Sequence, residues 1–397
     1  MSIAAEAAAR VEEVPETKPE KKKRLQGVEV NIPEPDPWPE PVDGAAVLTS
    51  VVEAVQRHMA IRDPDAYLVA LWCAHTHVFK AFTHTPRLAI TGPAPECGKS
   101  VLLCGLVRHL VSKPFEADNI SPAPFFRLAA AKQPTFLIDE VDAWLKEDSA
   151  LPGALNNGWE RHGQVVRCEG DGFEVRAFPT HSPVALAGIG LGKKLTAATL
   201  TRCLTIELER ALPGEVEQPF DQRRHDEPLR VLCRQLARWT GDSEREIGQC
   251  DPQMPQGVLN RRADKWRSLF ALAEVAGGLW PEWIKCALLS EEDGNTYTRE
   301  IQLLGDIRVV LAQGDYQPGI FTEELIAALC EAEDSVWADY NFRAQDKRIK
   351  PRQLSNLLAG FKCKPDTIRR DTGRRKGYYT DKLQTAIQRY LPDPGMF

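Results

Sequence analysis

The 397-residue chain carries 43% apolar and 27% charged residues with a net charge of −6, the balance of a soluble globular protein of two or three domains. No run approaches the ~18 consecutive apolar residues of a membrane helix, and the acid- and lysine-bearing start lacks the apolar stretch of a secretory signal. Ten cysteines, none in a Cys-x-x-Cys pair, give no zinc-ribbon or thioredoxin-like spacing and read as reduced thiols of a cytoplasmic protein.

Residues 1–44 combine an Ala/Glu-rich start, the basic run Lys21 to Arg24, and Pro33, Pro35, Pro37, Pro39 and Pro41 alternating with acids and a tryptophan. This composition buries too little apolar surface to offset chain entropy, so a disordered tail ending in a stiff extended linker is predicted. Val47, Val51, Val55, His58 and Met59 then recur at helical spacing, and Tyr67 to Phe82 reads as a second apolar helix, giving an N-terminal helical region over 45–82. His75, His77 and His84 fall near one another, but positions two apart on a helix do not share a face, which favours packing roles over a metal site.

An α/β core is expected over 83–212. Arg87 to Thr91, Thr135 to Asp139, Val184 to Ile189 and Leu204 to Leu208 are short apolar runs alternating with helical stretches, the signature of a parallel sheet. Gln164 to Arg167 and Phe173 to Phe178, separated by the turn signal Glu169 to Gly172, read as an inserted β-hairpin. After a Pro-containing break at 213–228 the pattern turns helical through Leu289, and a helical lid is expected over 213–298. The last segment, 299–393, ends in the Gly-punctuated RRDTGRRKGYYT and suits a small winged-helix-like module. Residues 341–390 hold fourteen Lys or Arg against four Asp, a net of +10 that leaves −16 on the remainder, and so point to a polyanion partner.

The chemistry concentrates in GPAPECGKS, which lies between an apolar strand and an apolar helix. Gly92, Glu96, Cys97, Gly98, Lys99, Ser100 and Val101 form the candidate phosphate-binding loop, because consecutive backbone N–H groups at a helix N-terminus make an anion nest. Lys99 adds a point charge at the phosphates, and the Ser100 hydroxyl suits Mg²⁺. The first glycine of the usual spacing is replaced by Pro93. The apolar strand ending in Asp139 and Glu140 supplies the second half, Asp139 orienting Mg²⁺ and Glu140 activating the attacking water. Arg202 stands where an arginine finger reaches a neighbouring subunit, or where an ordinary arginine caps a helix end. Arg261 and Arg262 either reach the nucleotide from the lid or line a solvated helix face. Asn156 and Asn157 suit water positioning or a plain turn.

These residues resemble the P-loop ATPase domain family of phages, plasmids and mobile elements, often fused behind a primase. The resemblance runs from about Trp38 to Pro392 and rests on LWCAHTH at 71–77, ECGKS at 96–100, LIDEVDAW at 137–144, VVRCEGD at 165–171, PVALAGIG at 183–190, RRADKW at 261–266 and TIRRDTGRRKGYY at 367–379. It implies an oligomeric, additional-strand ATPase, AAA+-related and helicase-like. Arg202 then matches the arginine finger, although Thr201 replaces an expected Asp, and Arg261 matches the lid arginine. ATP and Mg²⁺ are the implied cofactors, and DNA, further copies of the chain and a separate primase the implied partners. Arg369, Arg370, Arg374, Arg375, Lys376 and Tyr378 are the candidate nucleic-acid contacts. An ATP-gated scaffold working through protein partners is the alternative.

Overall fold

The computed structural model describes residues 30–144, 151–169, 173–293, 299–331, 335–341, 346–371 and 373–391. The lysine run at 21–24 and most of the Glu169 to Gly172 turn lie outside them. Residues 30–43 are extended, as the prolines predict, but they are held by the body of the molecule. Trp38 N donates to Arg234 O at 2.9 Å while the Arg234 guanidinium lies 5.3 Å above the Trp38 ring.

Helix Gly44–His58 starts where Asp43 accepts from Ala46 N at 2.7 Å, and it buries Val47, Val51 and Val55 at the spacing that predicted it. Gly44 is needed there because a Cβ would sit 2.3 Å from the Trp239 indole. Helix Asp63–Val78 opens with Pro at its first turn and is buried nearly all round. Its histidines serve packing. His75 Nε2 meets Thr85 Oγ1 at 2.9 Å, and His77 Nε2 meets Leu110 O at 2.9 Å.

Five parallel strands follow: β1 (Arg87–Gly92), β2 (Pro114–Ala117), β3 (Thr135–Ile138), and, after the antiparallel hairpin β4 (Gln164–Glu169) and β5 (Glu174–Pro179), β6 (Val184–Ile189) and β7 (Cys203–Glu207). Their order is β2-β3-β6-β1-β7, so β6 stands between β1 and β3. Successive side chains point to opposite faces. Leu88, Ile90, Leu137, Ala185, Ala187, Leu204 and Ile206 enter one core cluster, and Ala89, Phe136, Ile138, Val184, Leu186 and Cys203 the other. Both faces are thereby covered, and each fully buried Leu, Ile or Phe contributes about 1.5–3 kcal/mol.

The helices expected to form a lid belong instead to the first of these layers. Trp239 of helix Gln222–Asp242, Trp266 of helix Asn260–Ala276 and Trp280 of helix Trp280–Asp293 share one core with Val51, Leu71 and Ile90. Helix Gln222–Asp242 also starts seven residues before Leu229, carrying Pro228 inside it, because Asp221 caps Arg223 N at 3.0 Å. Beyond residue 299 a third cluster gathers Leu304, Ile307, Leu325, Trp337, Leu354, Leu358 and Tyr378. It joins helices Arg299–Gln313, Thr322–Glu331, Pro351–Ala359 and Thr380–Tyr390 to the sheet β8-β10-β9, formed by β8 (Gly319–Phe321), β9 (Asp366–Arg370) and β10 (Gly373–Tyr379). Among the described residues, no helix is long and apolar enough to cross a membrane.

Candidate active site

The loop after β1 turns on two left-handed residues, Glu96 at φ 64° and Gly98 at φ 85°, which aims successive N–H groups into one concavity. Gly92 closes the strand with no room for a side chain, since a Cβ would lie 2.8 Å from Leu208 O and 3.1 Å from the Cys97 Cβ. Cys97 turns its side chain into the core and contributes only backbone. Lys99 reaches back across the loop, its Nζ donating to Ala94 O at 2.8 Å. The helix that follows is π-wound over Val101–Val107, a wide form that recurs at functional sites, and Val101 is exposed on its first turn.

Ser100 Oγ donates to Asp139 Oδ2 at 2.7 Å. This bond joins the end of β3 to the loop of β1 across the intervening β6. Asp139 Oδ1 also accepts from Glu140 N at 2.8 Å, in a turn where Glu140 takes φ 51° and presents an exposed carboxylate. Cys104, one turn beyond Ser100, lies with its Sγ 3.9 Å from Asp139 Oδ2, and burial, then the Asp139 charge, push its thiol up to about 12, so it stays protonated. Asp142 Oδ1 accepts from Ile189 N at 2.8 Å and clips this turn to the end of β6; a Cβ on Gly188 would stand 2.6 Å from the same oxygen.

One residue at the loop escaped sequence reasoning. Arg210, three positions beyond β7, places NH2 3.0 Å from Glu96 Oε2 and 3.3 Å from Pro95 O. Parallel sheets gather their functional groups at the carboxyl ends of the strands, and β7 is the neighbour of β1, which is the signal that could have found it.

The other arginines lie elsewhere. Arg202 precedes β7, and its carbonyl accepts from Arg87 N at 3.0 Å at the amino end of β1. Five residues of strand, about 16 Å at 3.3 Å per residue, separate that point from the loop. Arg261 NH1 donates to Thr201 Oγ1 at 3.2 Å, so it too sits at the amino end. Arg261 is expected to reach the nucleotide from a lid, and this contact places it away from the loop of its own chain. Helix Asn260–Ala276 is fixed there because buried Lys265 donates to Cys203 O at 2.9 Å and pairs with Glu291.

Arg202 and Arg261 line a polar cavity of about 570 Å³ with Asn156, Asn157, Trp159, His84, Glu160 and Asp264. Asn156 and Asn157 are thus also remote from the loop. Burial, then the Arg261 charge, lower the Arg202 pKa, and Arg202 Nε and Asn156 Oδ1 are buried without a partner. Beneath the cavity, fully buried Arg87 donates to Leu155 O and Ser182 O, both at 2.6 Å; burial brings it down to about 9, so it stays charged at neutral pH. Among the described residues no group of three or more His, Cys, Asp or Glu side chains could hold a metal ion.

The uncharacterized 28.9 kDa protein in the xis 5′ region of Saccharopolyspora erythraea is 32% identical to this chain over 191 residues, 47% of this chain and 69% of that protein. The model of a family of proteins of unknown function, DUF3631, matches residues 207–390. The chain belongs to this family. The segment matching the DUF3631 model begins at the last residue of β7 and takes in Arg210, Arg261 and the basic C-terminal unit, but not the loop or Asp139. Solved structures of the NrS-1 C-terminal region also align. The A-form apo structure has a TM-score of 0.42 at 10% identity, and an apo structure of residues 305–718 has 0.41 at 12%. Each alignment covers 87% of this chain and 77% of the other, a likeness too distant to bear on activity.

In the basic unit of this DUF3631 protein the expected contacts divide. Arg369, Arg374, Arg375 and Lys376 are exposed. Arg370 pairs with Glu324 at 2.6 Å and lies 5.2 Å above the Phe321 ring, and Arg375 lies 5.5 Å above the same ring. Tyr378 is 1% exposed inside the third core cluster, and burial pushes its hydroxyl up to about 12. It cannot stack a base. This corrects its reading as a nucleic-acid contact, and the cause is that β10 passes under helix Pro351–Ala359 from Gly377 onward.

Proposed function

We propose that the chain is a Mg²⁺-dependent ATPase that works as an assembly of copies and couples hydrolysis to DNA held by its basic C-terminal unit. The observation that carries this reading is the 2.7 Å bond from Ser100 Oγ to Asp139 Oδ2 beside the Lys99 loop. A hydroxyl and a carboxylate so placed are hard oxygen donors of the kind that would hold Mg²⁺. When bound, Mg²⁺ neutralises charge on the β- and γ-phosphate oxygens.

The chain's own groups then take distinct roles. N–H groups of residues 96–100 hold phosphate oxygens, and Lys99 exchanges the Ala94 carbonyl for them. Glu140 accepts a proton from the attacking water. Arg210 supplies a guanidinium from the same chain. Arg202 and Arg261, at the opposite end of the sheet, act on the site of a neighbouring copy, where their crowded charge meets the transferring phosphoryl group. A separate primase as partner fits this reading without being required by it.

The test is ATP hydrolysis with and without DNA. Turnover stimulated by DNA and lost in Lys99→Ala and Glu140→Gln supports the proposal. Lys99-dependent turnover indifferent to DNA would move the function to an ATP-gated switch for protein partners, and turnover unaffected by Lys99→Ala would remove the ATPase reading.

A further inference from the structure

Two groups of exposed cations in the basic unit lie on one side of its sheet, while Arg370 and Arg375 lie over the Phe321 ring on the other. In β10, Arg374, Lys376 and Tyr378 alternate onto one face, and Arg374 and Lys376 stand directly across from Arg369 and Thr367 of β9. Tyr378 marks what that face meets, because it is buried with Leu354 and Leu358 and adjoins Ser355. Helix Pro351–Ala359 therefore lies against the face from which Arg369, Arg374 and Lys376 project beyond the core.

The helix buries Leu354 and Leu358 and turns Arg352 and Asn356, four residues apart, to solvent. Exposed Lys350, Lys362 and Lys364 flank it. Arginine and asparagine are the side chains that read guanine and adenine edges, and a helix about 10–12 Å across fits a B-form major groove about 12 Å wide. The narrow major groove of A-form RNA excludes it.

The aromatic residues of the unit's sheet argue against a single-stranded ligand. Stacking platforms need rings open to bases. Here Tyr378 is buried, the Phe321 ring is covered by Arg370 and Arg375, and Lys382 lies 5.2 Å above the Tyr379 ring. Tyr390, at the end of the last helix, is exposed but has one side taken up by Phe361 at 4.8 Å. The exposed polar side chains Arg352 and Asn356 of helix Pro351–Ala359, and Arg369, Arg374 and Lys376 of the hairpin, are cationic and amide, suited to phosphates and base edges.

We propose that the C-terminal unit binds duplex DNA, with helix Pro351–Ala359 in the major groove through Arg352 and Asn356, and Arg369, Arg374 and Lys376 on the flanking phosphates. The proposal rests on the DNA-coupled reading above and specifies its substrate. It is tested without nucleotide, so that its failure is separate from any failure of ATP hydrolysis.

The full chain is titrated by fluorescence anisotropy against a 20-base-pair DNA duplex, its single strands and the matching RNA duplex, at several salt concentrations. DNA duplex binding at least about tenfold tighter than either alternative is expected. Arg374→Gln with Lys376→Gln should reduce the salt slope of log affinity by about two, at 0.9 per phosphate contact, equally for all duplex sequences. Arg352→Gln with Asn356→Ala should instead flatten the preference among duplex sequences by about tenfold. Because all four side chains are exposed, unchanged thermal unfolding is expected and is checked in each variant. Equal or tighter binding of single strands or RNA, or a hairpin variant with an unchanged salt slope, would overturn the proposal and leave a DNA-stimulated ATPase possible. Loss of all nucleic-acid binding by the parent would overturn it as well.

Discussion

Replacing Arg202 by Ala should abolish hydrolysis while leaving ATP binding intact, because the side chain stands at the amino end of β7, about 16 Å of strand away from the loop of its own chain. A finger arginine contributes about 10³–10⁵ in rate, or about 4–7 kcal/mol of transition-state stabilisation. The informative experiment mixes two dead copies. Lys99→Ala retains the arginines and lacks the loop cation, whereas Arg202→Ala retains the loop and lacks the finger. In a random equimolar head-to-tail assembly, one interface in about four pairs an intact loop with an intact arginine. Recovery of about a quarter of the parent rate per chain is therefore expected from two inactive preparations, measured by phosphate release. Arg261→Ala should complement Lys99→Ala in the same way. If Arg202→Ala remains inactive at every mixing ratio although the copies co-assemble, or retains the parent rate alone, the placement of the finger on a neighbouring copy is wrong.

Arg210→Ala should weaken ATP and ADP binding about tenfold, about 1.4 kcal/mol, with little change in kcat, as read from nucleotide titrations; unchanged affinity would leave Arg210 a surface ion-pair partner. Tyr378→Ala should cost about 3–5 kcal/mol in the unfolding of the C-terminal unit, whereas a loss of DNA affinity without a loss of stability would restore the stacking role. Burial lowers His75 to about 3 and His181 to about 4. The unfolded chain therefore takes up protons below about 6.5 while the folded one does not, so stability falls as pH drops from about 6.5 toward 4. At pH 5 each contributes a loss of at most about 2 kcal/mol, and urea midpoints for the parent and His75→Gln should diverge less at pH 5 than at pH 7.

The sheet strands were legible because each is an apolar run buried on both faces, and the loop because its residues are contiguous. β2 was not, since Pro114–Ala117 is a short, half-exposed edge strand opened by proline, with no apolar run to announce it. The distribution of arginines was also hidden. Nothing local distinguishes Arg210, which reaches the loop, from Arg261, whose place depends on the buried Lys265 contact with Cys203 O. The lid expectation failed for a related reason. Amphipathic spacing shows that Trp239, Trp266 and Trp280 will be buried but not against which layer. Tyr378 shares the strand periodicity of Arg374 and Lys376, and only the depth at which β10 enters the core separates a buried ring from two exposed cations.

The central claim is that Lys99, Ser100, Asp139 and Glu140 form one hydrolytic site. Its most direct test is the steady-state ATPase rate of the parent beside Lys99→Ala and Glu140→Gln, with nucleotide binding measured on the same samples. Hydrolysis by the parent, loss of binding and turnover in Lys99→Ala, and retained binding with turnover reduced at least about a hundredfold in Glu140→Gln are predicted. A parent that binds ATP without hydrolysing it, or a Glu140→Gln variant that turns over at the parent rate, would contradict the account.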